Sequence, residues 1–244
     1  DNSTYDKPRV ARVKVEQTIA NGGTKQFAYI DITQEPGSVK EISSTYYQFG
    51  RKDAFPGTDT TPDGSFTPNG GNNMSIQNGI RHPENFYNSG PSWYNNPPTG
   101  YSYYNLWSMD NTATGYNDNS VVKTIYDPCP AGFHMPASNA FTGFATTTGL
   151  GTSTQSEFNV SGDWNMGWNF KAGGSSTATV YFPASGCRGS NGSLYYVGEY
   201  GIYLSAVPNS LHNDCHMYFY QTSISPQNYG YRSTGKSVRP VAEP

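Results

Sequence analysis

The sequence predicts an α+β fold that is loop-rich and mostly β. Three observations carry this expectation. Glycine (27) and proline (17) interrupt nearly every stretch of the 244 residues, aromatics reach 15%, and long helical periodicity is nearly absent. Several short runs instead alternate apolar and polar residues, the period of a strand with one face in a core. The chain is long enough to bury a substantial core.

The first alternating run is 9–17, Arg-Val-Ala-Arg-Val-Lys-Val-Glu-Gln, and the second is 26–34, Gln-Phe-Ala-Tyr-Ile-Asp-Ile-Thr-Gln. Asn21-Gly22-Gly23 between them signals a turn, so the two runs read as a β-hairpin. Glu35-Pro36-Gly37 breaks the pattern. Residues 1–36 are therefore read as an N-terminal extension or the remnant of a preceding immunoglobulin-like domain, and 37–244 as the main domain. Residues 45–50 read as a strand entering a turn at Arg51-Lys52-Asp53. Residues 55–75, rich in Pro, Gly, Asn, Asp and Thr, read as a long surface loop. Phe86, Tyr87, Trp93, Tyr94, Tyr101, Tyr103 and Tyr104 lie among prolines and glycines, which implies loops pinned by ring packing and anchored by Leu106-Trp107. Three prolines exclude a helix interior from 123–136. Ser138 or Asn139 is placed to cap a short helix carrying Phe141 and Phe144, and 145–157 is a further loop. Trp164, Trp168 and Phe170 lead into a strand at 177–182, which Pro183-Ala-Ser-Gly186 ends. Strands are also expected at 193–197, 201–206, 217–220 and 237–241. Trp93, Trp107, Trp164 and Trp168 are read as core, and no internal repeat is present.

Charged residues make up only 14% of the chain and its net charge is -3. No basic field attracts phosphate, so nucleic acid is not an expected partner. No apolar run approaches the roughly 20 residues of a membrane helix, so direct membrane insertion is not expected. The opening Asp1-Asn-Ser-Thr-Tyr reads as a trimmed or processed product. Cys129, Cys187 and Cys215 are odd in number and fit no zinc spacing. A Cys129–Cys187 bridge is one reading, and three buried thiols is the other. Nucleophile-elbow, metalloprotease, phosphate-loop and dinucleotide motifs are absent. No enzyme, catalytic residue or cofactor is expected. A structural calcium in the loop with Asp110-Asn111 and Asn117-Asp118-Asn119 is the one exception weighed, against a plain polar loop.

The C-terminal stretch carries the functional reading. Cys215, Met217 and Phe219 alternate with His216, Tyr218 and Tyr220, which places one set in a core and the other outward. Asp214 and His212 precede them, and Ser223, Ser225, Asn228, Tyr229, Tyr231 and Thr234 follow. Tyrosine supplies rigid contact area at low entropy cost, while Ser, Asn and Gly supply adaptable hydrogen bonds, the chemistry of an antibody-like paratope. These residues are read as a ligand-binding surface, with His212 and His216 hydrogen-bonding there rather than holding a metal. Core or cross-strand packing of Tyr203, Tyr218, Tyr220, Tyr229 and Tyr231 is the competing reading. Arg232 and Arg239 are read as scaffold.

Four segments carry a family resemblance. Tyr46-Tyr-Gln-Phe-Gly-Arg-Lys-Asp53, Tyr126-Asp-Pro-Cys-Pro-Ala-Gly-Phe133, Phe182-Pro-Ala-Ser-Gly186 and Arg232…Gly235-Lys-Ser-Val-Arg-Pro-Val241 occur in that order. Over residues 40–241 the chain resembles the C-terminal domain of Bacteroides-type fimbrillin-family surface proteins, related to the Fibrobacter major paralogous domain. The resemblance implies a C-type-lectin-like fold of the formylglycine-generating-enzyme-like branch. Leu204 stands where that family often has Trp. The tail also resembles the variable region of target proteins of diversity-generating retroelements, in which mutated adenines turn Asn codons into others. His212, Asp214, Cys215, His216, Tyr218, Tyr220, Ser223, Ser225, Tyr229, Gly230, Tyr231 and Thr234 belong to the accessible set. The resemblance implies that Asn213 and Asn228 are unchanged Asn codons and that Phe219, Pro226, Arg232, Gly235, Val238 and Arg239 are fixed scaffold.

The resemblance implies a secreted, non-enzymatic adhesion domain at a bacterial cell surface or pilus tip. Its partner would be a protein or glycan on a host or bacterial surface. The alternative is a structural pilin module contacting another pilus subunit, and the remote alternative is a formylglycine-generating-type enzyme. Calcium-dependent sugar binding is not expected, because Glu-Pro-Asn, Gln-Pro-Asp and Trp-Asn-Asp are all missing.

Overall fold

The computed structural model of the protein describes residues 9–17, 26–34, 44–57, 75–87, 92–94, 97–110, 112–147, 151–172 and 177–243. It divides into two units, one ending at Glu41 and one beginning at Ile42. The first holds a hairpin of β1 (Arg9–Gln17) and β2 (Gln26–Gln34), paired antiparallel from Arg9 opposite Gln34 to Gln17 opposite Gln26. The turn expected at Asn21–Gly23 lies outside the described residues, as does most of the loop expected at 55–75.

The second unit is mostly β and loop-rich. Its short elements are α1 (Ile76–Arg81), β3 (Phe133–His134), β4 (Val160–Ser161), β5 (Gly167–Lys171), β6 (Thr179–Pro183), β7 (Cys187–Arg188) and β8 (Leu194–Tyr195). The long strands come last: β9 (Tyr200–Pro208), β10 (Asn213–Tyr220) and β11 (Ser223–Tyr231), followed by β12 (Ser237–Val238) and β13 (Val241–Ala242). They build a four-stranded sheet in the order β11-β10-β9-β12, antiparallel except where β12 runs parallel to β9.

Several expectations are corrected. Residues 45–50 form no strand, only single bridges from Tyr46 to Phe55 and from Tyr47 to Lys236. The strand expected at 193–197 shrinks to two residues, and 237–241 breaks in two at Arg239-Pro240, where proline has no N–H for a ladder. The segment Ser138–Phe144 is a 3₁₀ helix that starts from Ala137 with no side-chain cap. Ser138 is committed elsewhere: its hydroxyl accepts from Asn117 N at 2.8 Å and donates to Asn117 O at 3.0 Å.

Buried polar groups organise the loops, because a buried backbone carbonyl needs a donor. Arg51, Arg188 and Arg232 are each at most 2% exposed. Arg51 donates to Asn85 O (2.6 Å) and His82 O (3.1 Å), and Arg188 to Pro56 O (2.9 Å). Arg232 reaches Tyr94 Oη (2.9 Å), Ser210 O (2.7 Å) and Tyr103 O. In the Asp-Pro-Cys-Pro segment the buried Asp127 carboxylate accepts from Cys129 N (2.7 Å), Met135 N (3.0 Å) and Lys123 Nζ (2.8 Å).

The sheet has two different faces. On one, Tyr203, Met217, Phe219 and Ile224 join Phe141, Phe158, Trp168, Phe170 and Phe182 in the largest core cluster. On the other, Leu204, Ala206 and Val238 pack with Phe49, Trp107, Cys129 and Met135. That second cluster covers only the part of the face nearest Leu204. Ring packing pins the aromatic loops, as the Pro/Gly-rich aromatic sequence implied: Tyr87, Trp93, Tyr94 and Leu106 are buried together with Ile76 of α1.

Candidate functional site

Strand β10 positions the site. Cys215, Met217 and Phe219 are fully buried, and Tyr218 and Tyr220 on the other face are half-buried. Tyr220 lies opposite Tyr200 of β9, and Tyr218 lies opposite Ile202. The ring centroid of Tyr200 is 5.3 Å from that of Tyr218 and 5.4 Å from that of Tyr220, and those two are 5.7 Å apart. Tyr196 stacks on Tyr200 at 4.4 Å, and Tyr195 follows at 5.9 Å. Tyr195 and Tyr196 are 40% and 49% exposed. The result is a corner of five adjoining tyrosines, in edge-on and offset arrangements that ring quadrupoles favour. Burial, and next the Tyr200 hydroxyl beside it, push the Tyr218 phenol above its ordinary value, so it stays a neutral donor and acceptor.

Sequence reasoning found Tyr218 and Tyr220 but missed Tyr195, Tyr196 and Tyr200. Tyr195 ends β8, Tyr200 opens β9 and Tyr196 lies in the connection between them, whose shape depends on the Phe-Pro-Ala-Ser-Gly segment. Gly186 has φ 69°, and a Cβ there would collide with Tyr195 O. Gly186 N donates to Tyr200 O at 2.7 Å, and Gly198 N to Ala184 O at 2.7 Å. Tyr196 itself adopts φ 60°, a left-handed conformation that a bulky residue rarely takes unless its surroundings impose it.

The other candidate residues divide. Asp214 (0% exposed) and His216 (6%) are buried, which corrects their expected outward placement. His216 Nδ1 lies 2.6 Å from Asp214 Oδ1, and Lys236 Nζ lies 2.5 Å from Asp214 Oδ2 and 2.8 Å from Tyr231 O. Gly230 sits opposite Asp214, and a Cβ there would come within 3.1 Å of His216 Cε1. The bare strand thus leaves room for the imidazole. Burial alone would raise Asp214, but Lys236 and His216 hold it below the usual carboxylate range. Burial lowers His216 despite the carboxylate beside it, so the imidazole is neutral at pH 7.

Tyr229 and Tyr231 are well exposed, at 55% and 56%. They pair with Cys215 and Asn213 and so point to the opposite side of the sheet from Tyr218 and Tyr220. This corrects the single continuous surface expected from sequence. Ser223 and Ser225 flank the corner, opposite Tyr220 and Tyr218, although Ser225 is buried. Ser223 Oγ donates to Thr152 O at 3.2 Å. Asn228 is half-buried, its Oδ1 accepting from Tyr229 N at 2.7 Å. His212 is exposed in the turn before β10, and Thr234 is half-buried in the turn after β11.

Cys129, Cys187 and Cys215 are all free and buried, with no bridge between Cys129 and Cys187. Burial pushes all three thiols up, Cys215 to about 12. Such thiols are neutral and poor nucleophiles at neutral pH. Among the described residues no three His, Cys, Asp or Glu side chains gather as a metal-binding group. In the loop weighed for calcium, Asn117 bonds Asn119 N (3.1 Å) and Gly115 O (3.1 Å), and Asn111 lies outside the described residues. Among the described residues no helix is long and apolar enough to cross a membrane. Compared with family models, curated proteins and solved structures, the chain matches none.

Proposed function

We propose that this chain is a non-enzymatic ligand-binding domain of a secreted bacterial surface or pilus-tip protein, built on a C-type-lectin-like scaffold. The observation that carries the reading is the tyrosine corner: Tyr195, Tyr196, Tyr200, Tyr218 and Tyr220 adjoin one another, and they are partly exposed on a rigid sheet end. Rigid tyrosines binding through contact area and phenol hydrogen bonds suit a protein or glycan surface. No chemistry or cofactor is invoked. The ordered family motifs support the scaffold, and two of them have physical work in the fold: Asp127 organises its loop, and Gly186 lets the tyrosine turn approach.

The test compares wild type with two variants on glycan and host-protein arrays. Tyr196→Ala/Tyr218→Ala/Tyr220→Ala is expected to lose binding at least about tenfold. Tyr229→Ala/Tyr231→Ala, on the other side of the sheet, is expected to retain it. A ligand held equally by the first variant rules out the corner. Self-association in solution that the first variant abolishes moves the reading to a contact between fibre subunits.

A further inference from the structure

We infer that the chain carries a second binding site, a cleft for a neutral sugar unit built on Trp164 and Trp168. It does not depend on the tyrosine corner. Trp164 packs on Phe219 at 6.2 Å, and the Phe219 side chain lies on the opposite face of β10 from Tyr218 and Tyr220. The cleft measures about 340 Å³, within the range of small-molecule sites. Its floor is aromatic: Trp164 is half-buried, Trp168 is 7% exposed, and their rings meet edge-on at 5.4 Å. Phe158 and Val160 line it too, and Gln155, Asp163 and Gln221 supply its polar lining residues.

The loop that presents Trp164 is held in a costly shape. Met166 has φ 50° and is flanked by Gly167 at φ 154°. A left-handed methionine is disfavoured sterically and persists only where its surroundings fix it. Here Met166 O accepts from Ala184 N (2.8 Å) and from Tyr181 Oη (3.1 Å), and Tyr181 Oη also reaches Asn165 O at 2.8 Å. The turn is therefore pinned from β6 and its end, which holds Trp164 against Phe219 and Trp168 with its outer part exposed. Backbone strain of this kind concentrates at ligand sites.

The lining selects the ligand class. A sugar ring offers an apolar C–H face and an edge of hydroxyls. Indole rings match the face. Two amides, each both donor and acceptor, and one carboxylate match the edge. The lining holds one carboxylate and no cation, which disfavours anionic ligands. A purely apolar ligand would leave the three polar groups of the lining without a role.

The experiment titrates the whole chain with neutral mono- and oligosaccharides of glucose, galactose, mannose and N-acetylglucosamine. Tryptophan emission and saturation-transfer NMR are followed, with sialic and glucuronic acids as the anionic arm. Trp93 and Trp107 are buried elsewhere and serve as a constant background. At least one neutral saccharide is expected to give a saturable change. Trp164→Ala should weaken it about tenfold or more, and Gln221→Ala and Asp163→Asn about three- to fivefold each. Gln221 and Asp163 are exposed, so these variants stay folded even if Trp164→Ala does not. Tyr218→Ala/Tyr220→Ala should leave the response unchanged, which separates this site from the corner. No saturable neutral saccharide, a response confined to the anionic sugars, or one unchanged by both Gln221→Ala and Asp163→Asn overturns the cleft.

Discussion

Lys236 settles the placement of two residues that strand alternation puts outside. Asp214 and His216 share the parity of Tyr218 and Tyr220, yet an ammonium arriving from 22 residues away caps the carboxylate and draws that end of the face inward. Nothing local in the sequence announces it, since the partner belongs to the segment just before β12. A buried carboxylate stripped of its cation is expensive. Lys236→Ala is therefore expected to lower unfolding stability by about 3–5 kcal/mol. Lys236→Met combined with Asp214→Asn should recover part of this, because it removes both charges together. Urea unfolding of the three proteins checks it, and a Lys236→Ala loss no larger than about 0.5 kcal/mol, the scale of an ordinary surface change, contradicts the assignment. The tyrosines show the same limit from the other side. Tyr218 and Tyr220 were legible from period alone, whereas Tyr195 and Tyr196 matter through a turn that only Gly186 and Gly198 permit.

Among the elements, β1 and β2 were legible from alternation, and β6 and β9 from short apolar and aromatic runs bounded by Pro and Gly; β10 was legible in its second half but begins at Asn213, ahead of the 217–220 expected. Strand β11 was not, for a physical reason. Its register slips between His216 and Tyr218, where Pro226 and Gln227 form a bulge that hides the period of two. The slip sends Tyr229 and Tyr231 to the face opposite Tyr218. Loops were legible as loops but not in what holds them, because a guanidinium's carbonyl partners are scattered along the chain. Arg232 binds carbonyls or hydroxyls from Asn213, Ser210, Tyr94 and Tyr103, and lies over the Phe49 ring at 4.8 Å. An ammonium lacks the planar fork that serves several acceptors at once. Arg232→Lys should accordingly cost about 2–4 kcal/mol. Differential scanning calorimetry would detect this as a fall in Tm, and an unchanged Tm counts against the tie.

For the molecule as a whole, the hydroxyls locked inside set an alkaline limit. Burial raises Tyr46 and Tyr94 from the ordinary value of 10.0 to about 12, and raises Tyr203 further. Groups whose folded pKa is raised contribute stability that is complete below the unfolded value and lost as pH climbs through the folded one. Unfolding free energy should thus hold steady to about pH 10 and fall steeply toward pH 12. A subset of the 20 tyrosines should ionise only with unfolding. Absorbance of tyrosinate alongside urea titrations at each pH reads both. Free ionisation of every phenol near pH 10 with the fold intact would refute the burial of these rings. The sheet face that holds Asp214 and Tyr220 is interior at the first and open at the second. Substitution along that single strand is unequally tolerated: the partly exposed positions near Tyr220 accept change, whereas the buried Asp214, His216 and Lys236 do not accept it without cost. A display library randomised at positions 196, 200, 218 and 220 is expected to keep the fold in most members, whereas one randomised at 214, 216 and 236 is expected to lose it.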